Sequence, residues 1–119
     1  MTAYATIADI ADAARSGRHS IVEIAASALR RAEEADARDD LNIFISRAGE
    51  YATVRARALE SDAARRETGA LYGVPFAAKD NIAVAHHPLT CGSRILDGYV
   101  SPYRATAIER LEDAGGVLI

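Results

Sequence analysis

The chain has 119 residues, 14 basic and 17 acidic for a formal charge of −3, a single cysteine, and a 50% hydrophobic composition inflated by 26 alanines. The 32 larger apolar or aromatic side chains that remain are enough for one small domain. These figures exclude a disordered or low-complexity chain and autonomous nucleic-acid binding, which needs a basic excess to release phosphate counterions. They also exclude an internal disulfide framework or multi-cysteine zinc site and, with no apolar run of bilayer length, a membrane span.

The N-terminus has no basic segment ahead of an apolar stretch and so is not a secretory signal; the expected setting is a reducing cytoplasm. Residues 6–16 predict a short helix with Thr6 as its cap, Ile7, Ile10, Ala11 and Ala14 as its apolar stripe, and Gly17 as its stop. Ser20 with Glu23 forms a capping box that opens a second helix through Ile21, Ile24, Ala25, Ala28 and Leu29. That helix fades into Glu33, Glu34 and Asp36, read as a solvated helix end, and a charged break is expected at 37–42. Asn42-Ile43-Phe44-Ile45 is too short for a helix and reads as a strand or a buried extended plug. A third helix is expected over 48–67, with Tyr51, Val54, Ala58 and Leu59 inward and an arginine-rich outer face.

The character changes at Gly69. Residues 69–104 hold all three prolines, four of the eight glycines and the only lysine. Tyr72-Gly73-Val74-Pro75 is turn chemistry, Phe76 to Val84 reads as a strand interrupted by a polar triplet, and Ser93 to Leu96 starts a short helical turn. Thr106 is the expected cap of a further helix with Ala107, Ile108, Leu111 and Ala114 on one face and Gly115 at its end. Gly116-Val117-Leu118-Ile119 then begins an apolar strand. Such a strand needs neighbours in a parallel α/β sheet, and stopping within it leaves unpaired backbone at an apolar edge. The expectation is therefore a chain that continues in a longer protein; a natural C-terminal edge strand is the alternative.

Thirteen of the fourteen basic residues are arginine, and the exception is Lys79, inside Lys79-Asp80-Asn81. Strand alternation places Phe76, Ala78 and Asp80 on one face and Ala77, Lys79 and Asn81 on the other. Two readings follow. A lysine on an otherwise apolar strand is partly desolvated, which makes the neutral amine accessible as a general base; or Lys79 is a solvated strand-edge lysine paired with Asp80. Other polar groups carry less. His86 and His87 face opposite ways with no ligand partners at metal spacing. His19 is expected to face solvent, and Cys91 is expected to be a small buried hydrophobe. Tyr72-Gly73-Val74-Pro75 is not a phosphate loop, and no Ser-His-Asp signature is present.

The string Leu71-Tyr72-Gly73-Val74-Pro75-Phe76-Ala77-Ala78-Lys79-Asp80-Asn81-Ile82 resembles the opening block of the amidase signature family. The likeness continues through Pro88 to Leu96, Tyr99, Ser101-Pro102-Tyr103, Ala105-Thr106, Arg110-Leu111 and Ala114-Gly115, and is weak over residues 1–68. Cys91-Gly92-Ser93-Arg94 and Ser101-Pro102-Tyr103 look most like the A subunits of bacterial tRNA-dependent amidotransferases. The resemblance implies an α/β fold: a helical N-terminal region over 1–68, then over 69–119 the first strands and helix of an incomplete mixed sheet.

The resemblance further implies a Ser–cis-Ser–Lys triad in which Lys79 matches the catalytic lysine and accepts a proton relayed through the bridging serine. Its implied substrate is glutamine, whose ammonia amidates mischarged Glu-tRNA(Gln) or Asp-tRNA(Asn). The B and C subunits of such an enzyme are the implied partners, with ATP, magnesium and tRNA handled by the B component and no cofactor in this chain. Neither serine of the triad, nor the glycine- and serine-rich loop that carries the oxyanion donors, is matched by any of the seven serines here. The 119 residues alone are thus expected to be catalytically inactive. A stand-alone amidase and a non-catalytic helical interaction module are the alternatives. The sequence departs from the family pattern at Ala83, where an acidic residue is usual, at His86-His87 in place of a loop glycine, at Arg104 before the Ala-Thr pair, and at Gly116. Arg104 is expected to cost an acidic interaction near the helix start.

Overall fold

The structure, a computed structural model, describes residues 6–119; residues 1–5 of the expected helical region lie outside the described residues. It is a mixed α/β arrangement. Helix α1 spans Ile7–Arg15, α2 Ile21–Asp39, α3 Gly49–Glu60, α4 Ala63–Thr68 and α5 Thr106–Asp113. Strands β1 (Pro75–Phe76) and β2 (Val117–Leu118) pair in parallel, with Pro75 opposite Val117 and Phe76 opposite Leu118. A 3-10 turn occupies Arg94–Leu96, in the place of the short helical turn expected over Ser93 to Leu96, with Ser93 as its cap. No described helix is long and apolar enough to cross a membrane.

The first two helices begin where local chemistry places them. Thr6 Oγ1 accepts from the Asp9 amide while the Asp9 carboxylate accepts from the Thr6 amide, and Ser20 and Glu23 repeat the exchange at α2. Each box satisfies two amides that an unfinished helix leaves without partners. Between them Gly17 adopts φ 72° and turns the chain. Helix α2 runs into the expected break at 37–42 as far as Asp39, with Asp40 as its cap in the left-handed region, and the chain is irregular from there. Glu33 and Glu34 are exposed, as a solvated helix end requires.

The single helix expected over 48–67 is two. Asp62 accepts from the Arg65 amide and starts α4 afresh. The inward face of α3 is Ala52, Ala56 and Leu59, all nearly inaccessible, with Tyr51 half-buried; Val54 and Ala58, expected inside, are exposed. Alanine is small enough to let α2 and α3 approach closely, so the buried stripe is the less apolar-looking one. The arginines are not a simple outer face either. Arg55 and Arg65 donate to the Glu112 carbonyl at the end of α5, and Arg65 also to that of Asp113. Arg15 and Arg66 donate to each other's carbonyl oxygens, and Arg15 also to Gly69. Cations are thus spent on carbonyls that helix ends leave open.

The strand expected over Phe76 to Val84 is only Pro75–Phe76; residues 77–84 are loop and turn. Backbone pairing is nevertheless longer than the strands: Leu71 donates to Ala114 (2.8 Å), Gly73 to Gly115 (2.9 Å), Val117 to Val74 (2.9 Å) and Ile119 to Phe76 (3.0 Å). Two glycines permit close approaches here, Gly73 to the helices beneath and Gly115 within the pairing itself. A Cβ on Gly73, at φ 76°, would stand 2.9 Å from Ala14 Cβ, and one on Gly115, at φ 97°, would stand 2.8 Å from the Tyr72 Cα. Val117 packs in a cluster with Ile21, Ile24, Ala52, Ala56, Leu59 and Tyr72, and Leu118 in a second one with Ala48, Val84 and Ile108. Consecutive strand residues facing opposite sides require such a division.

Helix α5 starts with Thr106 as its first residue and Ala105 as a cap without a side-chain bond, so Thr106 is not the cap. Ala107 is exposed, and the buried positions are Ile108 and Glu112. Glu112 is the surprise: its carboxylate, 4% exposed, accepts from the Tyr51 hydroxyl and pairs with Arg104 at 3.0 Å. Arg104, a departure from the family pattern, therefore neutralises a buried carboxylate from α5 instead of costing an interaction. Burial first, then the hydrogen bond to Glu112, pushes the Tyr51 phenol up from 10.0 to about 12. The folded state holds this proton more tightly than the unfolded chain. The resulting stability is therefore fully present below pH 10 and is lost as pH rises towards 12. A tyrosinate absorbance titration is expected to show Tyr51 ionising after the exposed tyrosines, with unfolding following, and Tyr51→Phe is expected to shrink that alkaline limb, leaving the part due to buried Tyr72, whose phenol burial also pushes up. Glu112→Gln is expected to lower stability by about 1.5–3 kcal/mol, the usual contribution of hydrogen bonds to a charged group, measurable by urea unfolding.

Candidate functional site

Lys79 lies three residues past β1, next to the end of β2. Crevices outside the C-terminal ends of parallel strands are where α/β sheets bind ligands. A groove of about 620 Å³ opens there, lined among others by Lys79, Asp80, Cys91, Leu118 and Ile119. One wall is the segment Ile43–Ser46. This segment is neither strand nor buried plug: Ile43 and Ile45 are more than half exposed. It is held from behind by Asp36, whose carboxylate accepts from the Ile43 amide (2.8 Å) and pairs with Arg47 (3.4 Å).

The alternation expected around Lys79 holds although the strand does not extend that far. Phe76, Ala78 and Asp80 are half-buried, whereas Ala77, Lys79 and Asn81 are exposed. Lys79 is thus not the partly desolvated lysine of the first reading, nor the Asp80-paired lysine of the second. Among the described residues nothing bonds to its ammonium. Asp80 is turned to the loop beyond: it accepts from the Thr90 hydroxyl and from the Thr90 amide at 3.0 Å, while its own carbonyl accepts from the Cys91 amide at 2.9 Å. The Thr90 hydroxyl bond, followed by amides of the same loop, holds the Asp80 carboxyl below its ordinary 3.8 against the opposing effect of burial.

Cys91 is exposed instead of buried, at φ 52°, and faces the same groove. His87 packs edge-on against Tyr51 with centroids 5.0 Å apart, and His86 is exposed, so the two histidines do part as expected. His19 is half-buried, not solvent-facing. No group of three or more metal-ligating side chains is found among the described residues. Tyr72 belongs to the core, where its hydroxyl donates to the Leu59 carbonyl at 2.9 Å. Thr90 and the Ile43–Ser46 wall escaped the sequence reading, since both act across gaps of sequence that no local pattern spans.

The amidase family model matches residues 23–119. Two curated relatives are similar to the chain, both A subunits of glutamyl-tRNA(Gln) amidotransferase. That of Symbiobacterium thermophilum is 44% identical over 106 residues, covering 87% of this chain and 21% of the relative. That of Deinococcus radiodurans is 41% identical over 119 residues, covering 100% and 24%. The chain therefore spans under a quarter of the length of these relatives. A solved structure superposes with a TM-score of 0.82 at 29% identity, over 92% of this chain and 24% of that one. It is an inhibitor-bound form of a vestigial protein complex that reveals the origins of an s-triazine catabolic enzyme.

Since Lys79 is exposed and unpaired here, Lys79→Met is expected to change folding stability by no more than about 0.5 kcal/mol, the range of ordinary surface substitutions. Urea unfolding of the two proteins checks this; a larger loss would mean that the lysine has a structural task.

Proposed function

The chain belongs to the amidase family, and from that premise we propose that it is the front part of a glutamine-hydrolysing amidotransferase A subunit in which Lys79 is the proton acceptor of a Ser–cis-Ser–Lys triad. The observation that carries this reading is the place of Lys79: within the stretch that the amidase family model matches, just past the strand ends, on a ligand-sized groove, with its neighbouring carboxylate engaged elsewhere. In the proposed reaction a serine supplied by sequence beyond these 119 residues attacks the carboxamide carbon of glutamine. Its proton passes through the bridging serine to the neutral amine of Lys79, and returns to the leaving nitrogen as ammonia departs. Water then releases glutamate from the acyl-enzyme. Lysine is required because a guanidinium does not give up its proton near neutral pH.

On this reading residues 1–68 form a helical N-terminal region and 69–119 the beginning of the amidase core, in a cytoplasmic enzyme. The partners are the B and C subunits of the amidotransferase, the former using ATP and magnesium to amidate mischarged Glu-tRNA(Gln) or Asp-tRNA(Asn). A stand-alone amidase is the second reading, since the amidase family match by itself is common to both. Identities of 44% and 41% to A subunits favour the first.

The 119-residue chain alone is expected to hydrolyse neither glutamine nor simple amides. Exchanging it for the matching segment of the Symbiobacterium A subunit is expected to give an active glutaminase once assembled with that protein's own partner subunits. In that chimera Lys79→Arg is expected to lower kcat by about 10²–10⁴-fold, the scale of a lost general base. Undiminished activity of the variant, or Lys79-dependent hydrolysis by the chain alone, would overturn the proposal.

A further inference from the structure

Lys79 sits on loop and turn, where a side chain is ordinarily mobile, yet a proton acceptor must be held within a fraction of an ångström of its partner. Something must therefore hold the backbone of residues 79–82. The turn closes on itself only through the Ile82 amide, which donates to the Lys79 carbonyl at 2.9 Å. Ile82 also packs beside the cluster of Ala48, Val84, Ile108 and Leu118, and the remaining hydrogen bonds found among the described residues run to residues 90–92. Asp80 accepts from the hydroxyl and amide of Thr90, the Asp80 carbonyl accepts from the Cys91 amide, and the Thr90 hydroxyl oxygen accepts in turn from the Gly92 amide at 3.1 Å.

That second loop is itself anchored. Pro88 and Val100 form an antiparallel bridge, and around it His86 donates to the Ser101 carbonyl (2.8 Å), Ser101 to that of His87 (3.0 Å) and Leu89 to that of Tyr99 (3.0 Å). Ser101 is fully buried, and Leu89 is 9% exposed. Thr90 is the next residue along this arm, so it stands at the edge of a braced ladder. The left-handed backbone of Cys91 and Gly92, φ 52° and 68°, turns the following amides back towards Asp80 and the Thr90 hydroxyl.

We infer that Asp80 and Thr90 are a positioning pair: Thr90, fixed by the 86–89/99–101 ladder, clamps the Asp80 carboxylate and thereby sets the backbone from which Lys79 projects into the groove. The inference rests on the reading of Lys79 as the proton acceptor, and extends it by naming what aims that lysine. The geometry also explains why the neighbouring side chain is an aspartate. A carboxylate accepts from several donors at once, and bonds to a charged acceptor are about twice as strong as neutral ones.

Lys79 is the only lysine of the sequence, so labelling the chain with [15N]lysine reports its backbone amide alone. In the parent chain its order parameter is expected near 0.85, and in Thr90→Val, which keeps the shape but removes the hydroxyl, below about 0.6. Amide exchange at Cys91 and Ile82 is expected to accelerate at least about tenfold, as for loss of a hydrogen bond to a charged group. The midpoint of thermal unfolding and the protection of Leu59 and Val117 are expected to stay unchanged. Thr90→Ser, which restores the hydroxyl, is expected to restore both readouts. Asp80→Asn is expected to behave as Thr90→Val, and serves in its place if that variant does not fold. An unchanged Lys79 order parameter in Thr90→Val or Asp80→Asn would overturn the inference, as would uniform loss of protection across the chain. In the chimera, Thr90→Val is expected to lower kcat about tenfold with KM unchanged. If Lys79→Arg is active while the order parameter responds as expected, the base assignment fails and the clamp stands; the reverse pattern removes the clamp alone.

Discussion

The parallel pairing of residues 71–76 with 114–119 is the constraint on which the rest of the molecule depends. Four backbone bonds tie the two stretches, and they are possible because Gly115 leaves room against the Tyr72 backbone, while Gly73 lets the same stretch lie close on Ala14 and Ile21. The pairing turns Val117 towards the α2/α3 cluster and Leu118 towards the cluster with Ile108, so one short strand joins two groups of buried side chains. It also decides where Lys79 emerges, three residues beyond the ladder at the end of the sheet. Loop residues there owe their position to the strands behind them and to the Thr90 arm ahead.

What was legible in the sequence was what is decided within a turn or two. Thr6 as a cap and the Ser20/Glu23 box fix two helix starts by contacts three residues apart, and both lie where the pattern placed them; the structure adds Asp9 as the second half of a box at Thr6. The parallel α/β character followed from the apolar run after α5. The failures have a common cause. Helix α3 buries Ala52 and Ala56 while Val54 points to water, because the depth of a position depends on how closely α2 comes, not on the size of its own side chain. Residues 77–84 have strand-like composition but no partner strand among the described residues, and composition cannot form a ladder alone. Glu112 has no local sequence signal that sets it apart; the partners of its buried carboxylate are Tyr51, 61 residues away, and Arg104. For the site, Lys79 stood out by composition and motif. Its exposure, the engagement of Asp80 by Thr90 and the wall at Ile43–Ser46 are set by contacts between distant segments.

The uneven use of cations acquires a physical meaning in this light. Arginine carries five donors in a fixed fork, and here Arg15, Arg55, Arg65 and Arg66 direct theirs at carbonyl oxygens near helix ends. That task needs a permanent charge and several donors. On the proposed reading the position at the groove needs neither; it needs a group that can lose its proton, and that is where the one lysine stands.

The account turns on whether position 79 supplies a proton-accepting amine or only a positive charge. Chemical rescue separates these in the chimeric A subunit, in a background free of other cysteines so that Cys91 does not react. Lys79→Cys is made and alkylated either with 2-bromoethylamine, which rebuilds a primary amine, or with its trimethylammonium analogue, which rebuilds only the charge. Glutamine hydrolysis that returns with the amine and not with the trimethylammonium group is the predicted result. Equal recovery with both reagents, or full activity of Lys79→Cys before alkylation, would contradict it.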